Sequence, residues 1–72
     1  MQNRVRALRE EMALTQAQLA ALTGVSRQAI NAIETGKYDP SIWLAYALSK
    51  VFKKSIEEIF LFEEGDKNDQ KE

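Results

Sequence analysis

The chain contains neither cysteine nor histidine in its 72 residues, and only one proline and three glycines. Disulfide staples, thiolate nucleophiles and the usual zinc ligands are therefore excluded. No apolar run approaches the roughly 20 residues needed to span a bilayer. The N-terminal stretch Met1 to Arg6, MQNRVR, carries charge where a signal peptide needs an apolar core. A soluble, cytoplasmic chain is expected. No nucleophile–base pair, metal-ligand cluster or phosphate-binding loop is present, so neither an enzyme nor a bound metal or cofactor is expected. The acid pairs Glu57-Glu58 and Glu63-Glu64 suit capping and solubility, because a catalytic carboxylate pair needs a pocket that so short a chain cannot enclose.

What is present is 44% hydrophobic content, enough for one compact domain. A domain of this size buries only about 60% of its unfolded surface, which leaves oligomerisation as the available staple. The net charge of −1 argues against a polyanionic partner when taken alone. Its distribution argues otherwise. Residues 1 to 54 hold eight Lys or Arg against four acids, a balance of +4, while residues 55 to 72 come to −5. A basic body can hold a polyanion because the local field matters more than the sum.

Helical signals run through the body. Val5, Leu8 and Met12 recur at helical spacing, with Arg4, Arg6, Arg9, Glu10 and Glu11 on the other faces, so a first helix is expected from Asn3 to Met12. Thr15-Gln16-Ala17-Gln18 forms a capping box that opens a second helix, with Leu19 and Leu22 inward and a stop at Thr23-Gly24. Ser26 caps a third helix from Arg27 to Glu34, and Gly36 ends it. Lys37 to Pro40 form a loop, since the residue before a proline is pushed out of the helical region. Ser41 caps a fourth helix, Ile42 to Phe52, with Ala45, Leu48 and Phe52 on one stripe bordered by Ile42, Leu44 and Val51. Ser55 to Glu58 make a second capping box, so a short fifth helix is expected to about Phe60. Residues 63 to 72, EEGDKNDQKE, hold no apolar side chain and read as a disordered acidic tail beyond a 1–62 domain.

Two short helices joined by a Gly-containing turn make a helix-turn-helix unit. Ala20 is small where the helices cross, Gly24 takes the turn, and Leu19, Val25, Ile30 and Ile33 point inward. Projecting the third helix at about 100° per residue places Gln28, Asn31, Ala32 and Thr35 opposite the core, with Arg27 on the flank. That face is small, amide-rich and free of acids. Gln and Asn can pair with adenine, Arg with guanine, and an Ala methyl can meet a thymine methyl, so the face suits the major groove of DNA.

The run TQAQLAALTGVSRQAINAIETGKYDPS, Thr15 to Ser41, resembles the signature of small bacterial and phage repressors of the lambda Cro and repressor type, the XRE family. The resemblance extends from about Asn3 to Phe60. It implies an all-α, five-helix lambda-repressor-like domain that binds double-stranded DNA, regulates transcription, and acts as a repressor. By position it assigns a phosphate contact to Gln16 and base reading to Arg27, Gln28, Asn31 and Ala32. Ser26, Thr35 and Lys37 join the expected DNA-binding set, with Lys37 and Tyr38 on the loop that approaches the backbone. Arg9 and Glu34 match the family's structural ion pair and are left out of the contacts. Arg4 and Arg6 read as solvated helix charges.

The chain also resembles a compact subgroup in which a short strand follows the fifth helix and two subunits pair through the C-terminal region. That implies a homodimer through Ile56, Ile59, Phe60, Leu61 and Phe62. Met1-Gln2-Asn3 is short and polar, poorly suited to the N-terminal strand of some relatives. Trp43, Tyr46 and Lys50 lie off the core stripe of the fourth helix. Trp43 then packs under the loop around Tyr38 or joins a subunit interface, where aromatics are enriched. The alternative from another class is an antitoxin-like or adaptor module that holds a protein partner through the acidic tail.

Overall fold

A computed structural model describes residues 1–62; the expected acidic tail lies outside the described residues. Five helices follow one another: α1 Val5–Glu11, α2 Gln16–Thr23, α3 Arg27–Glu34, α4 Ile42–Phe52 and α5 Ile56–Ile59. The described residues are all-α, as the helix signals imply. Local chemistry accounts for the helix starts. Thr15 and Gln18 form the expected capping box, and Ser55 and Glu58 form the second. Ser26 Oγ accepts from the Ala29 amide at 3.1 Å and Ser41 Oγ from the Leu44 amide at 3.1 Å. Each cap satisfies an amide that the helix cannot. The Ser55 amide donates to Glu58, which holds the Glu58 carboxyl below its ordinary value.

Two glycines close helices. Gly24 has φ +77° after α2 and Gly36 has φ +76° after α3. Behind Gly36 the Lys37 amide returns to the Ala32 carbonyl at 2.9 Å, so the end of α3 is hydrogen-bonded before the chain leaves it.

The core joins all five helices. Val5, Leu8, Leu19, Ala20, Ile30 and Ile33 meet Leu44, Ala45, Leu48 and Phe52 of α4, and Ile59 and Phe60 close one end. α1 is shorter at both ends than its spacing predicts, and Met12 is 48% exposed. Leu22, expected inward, is 60% exposed, and Ile42 is 72% exposed while Leu44 is buried. In each case the apolar periodicity is read correctly as helical but the core meets a narrower arc than the stripe offers.

The end of the domain differs most from expectation. Residues 1–3 pair with the segment after α5. Asn3 and Phe60 form an antiparallel bridge, the Arg4 amide donates to the Ile59 carbonyl at 2.7 Å, and the Leu61 amide to the Gln2 carbonyl at 2.9 Å. It is a single bridge, with no strand among the described residues. Ile59 and Phe60 are 0% and 1% exposed, because this pairing folds them into the chain's own core. Their side chains are not offered to a partner. Of the five residues expected at an interface, only Ile56, Leu61 and Phe62 retain accessible surface.

A Cβ built on Gly24 meets no atom within 4 Å, so backbone strain alone opposes a side chain there. Gly24→Ala is expected to lower stability by about 1–2 kcal/mol, the cost of a left-handed conformation for an L-residue. A thermal melt followed by circular dichroism reads this as a fall of about 4–8 °C per kcal/mol.

Candidate nucleic-acid interface

α2 and α3 form the helix-turn-helix unit. The turn is short because α2 stops abruptly: the Gly24 and Val25 amides both donate to the Ala20 carbonyl, at 2.8 and 3.1 Å. Thr23 donates its hydroxyl to the Leu19 carbonyl at 2.9 Å, sealing the last turn. Ser26 then starts α3. Ile30 and Ile33 are 0% exposed, which clamps one face of α3 onto the core and turns the other outward.

The outward face carries the expected set. Ser26, Arg27, Gln28, Asn31, Thr35 and Lys37 are exposed, and Ala32 is half-buried. Lys37 and Tyr38 follow Gly36 on the loop at the C-terminal end of the helix. Two side chains are less free than their exposure suggests. Thr35 Oγ1 donates back to the Asn31 carbonyl at 3.0 Å, which commits its proton to its own helix. Ser26 Oγ serves the cap as an acceptor, and its hydroxyl proton is not used by that bond.

The only acid of α3 is Glu34, and it is removed from the surface. Its side chain is 3% exposed and that of Arg9 is 11% exposed. Arg9 Nε donates to Glu34 Oε2 at 2.6 Å, Nη2 to Oε1 at 3.2 Å, and Nη1 to the Leu14 carbonyl at 2.8 Å. The hydrogen bond to Glu34 pushes the Arg9 guanidinium above its ordinary value, against the pull of burial. No buried side-chain polar atom among the described residues lacks a partner. The ion pair is thus structural, as the resemblance implies, and it also leaves the outer face of α3 without a negative charge to oppose a phosphate.

Gln16 occupies a place that spacing does not reveal. Its Nε2 donates to Glu34 Oε1 at 3.0 Å and to Asn31 Oδ1 at 3.2 Å. Both hydrogens of the side-chain amide are engaged inside the protein. What remains for an anion at this point is the backbone amide at the first turn of α2, where the partial positive charge of the helix is concentrated. The connection between Gln16 and Asn31 crosses from one helix to the other and depends on how α2 and α3 pack.

Elsewhere the surface is strongly apolar along α4. Trp43 is 77% exposed and Tyr46 53%, so Trp43 does not pack under the Tyr38 loop. Lys50 Nζ sits 5.6 Å from the centre of the Tyr46 ring, in cation–π range. A groove of ≈ 320 Å³ runs between Ile42, Ala45, Ile56 and Phe62. Among the described residues there is no group of three or more acids, histidines or cysteines that could hold a metal, and no helix long and apolar enough to cross a membrane.

Known proteins share this arrangement. A family model described as Helix-turn-helix matches residues 5–59. An HTH-type transcriptional regulator of Methanocaldococcus jannaschii is 48% identical over 66 residues, covering 92% of this chain and 100% of that protein. The HTH-type regulator YgzD of Bacillus subtilis is 41% identical, covering 89% of this chain and 97% of its own. The crystal structure of the restriction-modification controller protein C.AhdI from Aeromonas hydrophila superposes with a TM-score of 0.72 at 30% identity, over 79% of this chain and 86% of that one. With its sequence, its helix order and its helix-turn-helix geometry in agreement, the chain belongs to the XRE-type helix-turn-helix family of DNA-binding transcriptional regulators.

Proposed function

We propose that this protein is a sequence-specific regulator that binds a pseudo-palindromic operator in double-stranded DNA as a homodimer and represses by occluding a promoter. The observation that carries the reading is the outer face of α3: Arg27, Gln28 and Asn31 exposed, with the one acid of the helix buried against Arg9. Arg and amide side chains match the donor and acceptor pattern of the major groove. The free amides at the start of α2 and the exposed Lys37 supply phosphate contacts beside it. The likeness to a controller protein supports a regulatory rather than a merely architectural role.

The apolar groove supports the dimer. Ile42 at 72% and Phe62 at 57% exposure flank it, with Trp43 adjacent on α4. Large exposed apolar residues grouped in this way mark an interaction surface. In the proposed dimer Ile56, Leu61 and Phe62 remain contact residues, joined by Ile42 and Trp43, while Ile59 and Phe60 support them from the core. Two-fold symmetry then sets half-sites about 34 Å apart, one helical turn of DNA.

Selection of bound duplexes from a random pool is expected to return such a pseudo-palindrome. Gln28→Ala should lose about 1–3 kcal/mol of preference for it over random duplex. Affinity for both should fall with salt at a log-log slope of roughly −0.9 per phosphate neutralised. Equal losses on selected and random duplexes would remove Gln28 from base reading, and a complete lack of duplex binding at low salt would favour an adaptor role.

For the dimer, sedimentation at micromolar concentration is expected to give twice the chain mass, with Phe62→Asp shifting the protein to monomer. Trp43 is the sole tryptophan, so its emission should move to shorter wavelength as the dimer forms. A wild-type monomer at that concentration would overturn the arrangement.

A further inference from the structure

The position of Glu34 has a consequence beyond holding two helices together. A carboxylate can only accept hydrogen bonds, and an Asn or Gln amide has one donating end and one accepting end. Glu34 Oε1 faces Gln16 at 3.0 Å, so the donating end of Gln16, Nε2, must turn toward it. The same Nε2 reaches Asn31, which must answer with its accepting end, and Oδ1 lies there at 3.2 Å. Asn31 is exposed, and its oxygen is the end held inward. The end it offers outward is therefore Nδ2, a donor.

We infer that Glu34 is a positioning residue for base recognition: through Gln16 it fixes the direction in which Asn31 presents its amide, and so makes Asn31 a donor to a base edge. The inference rests on the reading of α3 as the base-contacting helix. A donor at this point matches a major-groove acceptor, such as guanine N7 and O6 or thymine O4, in preference to a donor such as cytosine N4. Glu34 itself touches no base. It is 3% exposed, behind Gln16. Arg9 completes the chain by holding both carboxylate oxygens, at 2.6 and 3.2 Å, so that the carboxylate cannot turn away from Gln16.

The inference has a distinctive signature in Glu34→Gln. The new side chain keeps its oxygen on Arg9 Nε and places its amide nitrogen toward Gln16, giving up the bond from Arg9 Nη2. Gln16 then reverses to present Oε1, Asn31 reverses to present Nδ2 inward, and the group facing the base becomes an oxygen. Loss of packing or of the ion pair alone weakens binding without reversing a base preference.

The experiment is selection from a random duplex pool with the full chain as wild type, Asn31→Ala, Glu34→Gln and Gln16→Met. Asn31→Ala identifies the base position that Asn31 reads, as the one whose preference disappears. At that position Glu34→Gln is expected to move the preference from an acceptor-bearing to a donor-bearing base, by at least about fivefold in relative enrichment, a value near the low end of a single good contact. Gln16→Met leaves the ion pair in place and breaks only the connection. It is expected to flatten the preference at that position and no other, which keeps the inference testable if Glu34→Gln does not fold. An unchanged preference in folded Glu34→Gln, or in Gln16→Met, would overturn the positioning role while leaving DNA reading by α3 intact. A wild-type consensus that Asn31→Ala leaves unaltered would instead remove Asn31 from base reading, and the inference with it.

Discussion

The ion pair between Arg9 and Glu34 is the contact on which most of the architecture turns. Arg9 lies on α1, Glu34 ends α3, and the third arm of the guanidinium reaches the Leu14 carbonyl in the turn before α2. One side chain thus fixes three segments that share no continuous helix. Taking both charges out of water is costly, and a pair of this kind is stable only when its remaining hydrogen-bonding groups are also matched. Here they are: Arg9 uses Nε, Nη1 and Nη2, and Glu34 accepts from Arg9 and Gln16. The interaction that ties the end of α3 to α1 also removes the negative charge from its outer face. An apolar pair could set the angle equally well but could not orient Gln16.

Much of the fold is legible in short sequence signals because helix ends are local events. A Thr or Ser followed three residues later by Gln or Glu determines where an amide finds its partner, and the spans of α3 and α4 fall where Ser26, Gly36 and Ser41 place them. Burial is a less local property. Leu22 and Ile42 sit on helices of the expected extent but face away from the core, since which arc of a helix is covered depends on where the other helices lie. The bridge between Asn3 and Phe60 is harder still to see. Its bonds join backbone groups, and backbone groups leave no mark in residue type. The polar character of Met1-Gln2-Asn3 therefore says little about a pairing that does not depend on side-chain polarity.

The candidate interface divides along the same line. Periodicity alone turns Gln28, Asn31 and Thr35 outward, because the two isoleucines of α3 define its inner face. Which hydrogen-bonding groups remain available is a matter of tertiary contact. Thr35 returns its proton to its own helix, and Gln16 spends both amide hydrogens across the α2–α3 crossing, on residues 15 and 18 positions away. A residue type at a motif position identifies a capacity, and the neighbours decide which end of it faces outward.

The N-terminal segment links the two proposed surfaces. Asn3 Nδ2 donates to the Ile33 carbonyl at 2.9 Å, at the end of α3, while Gln2 and Arg4 bond to Leu61 and Ile59 on the other side. Asn3 Oδ1 also accepts from the Val5 amide at 3.0 Å, which anchors the segment to α1. The end of α3 and the start of the apolar edge are therefore held by the same three residues, Gln2, Asn3 and Arg4. For the proposed two-fold dimer this is a demanding place to be rigid. Two recognition helices must be kept about one helical turn of DNA apart, and an error in the tilt between interface and reading helix is carried into both half-sites. A short segment bonded to the ends of both α3 and α5 restricts that tilt more than core packing alone. Apolar contacts tolerate small sliding, whereas hydrogen bonds near 2.7–2.9 Å do not.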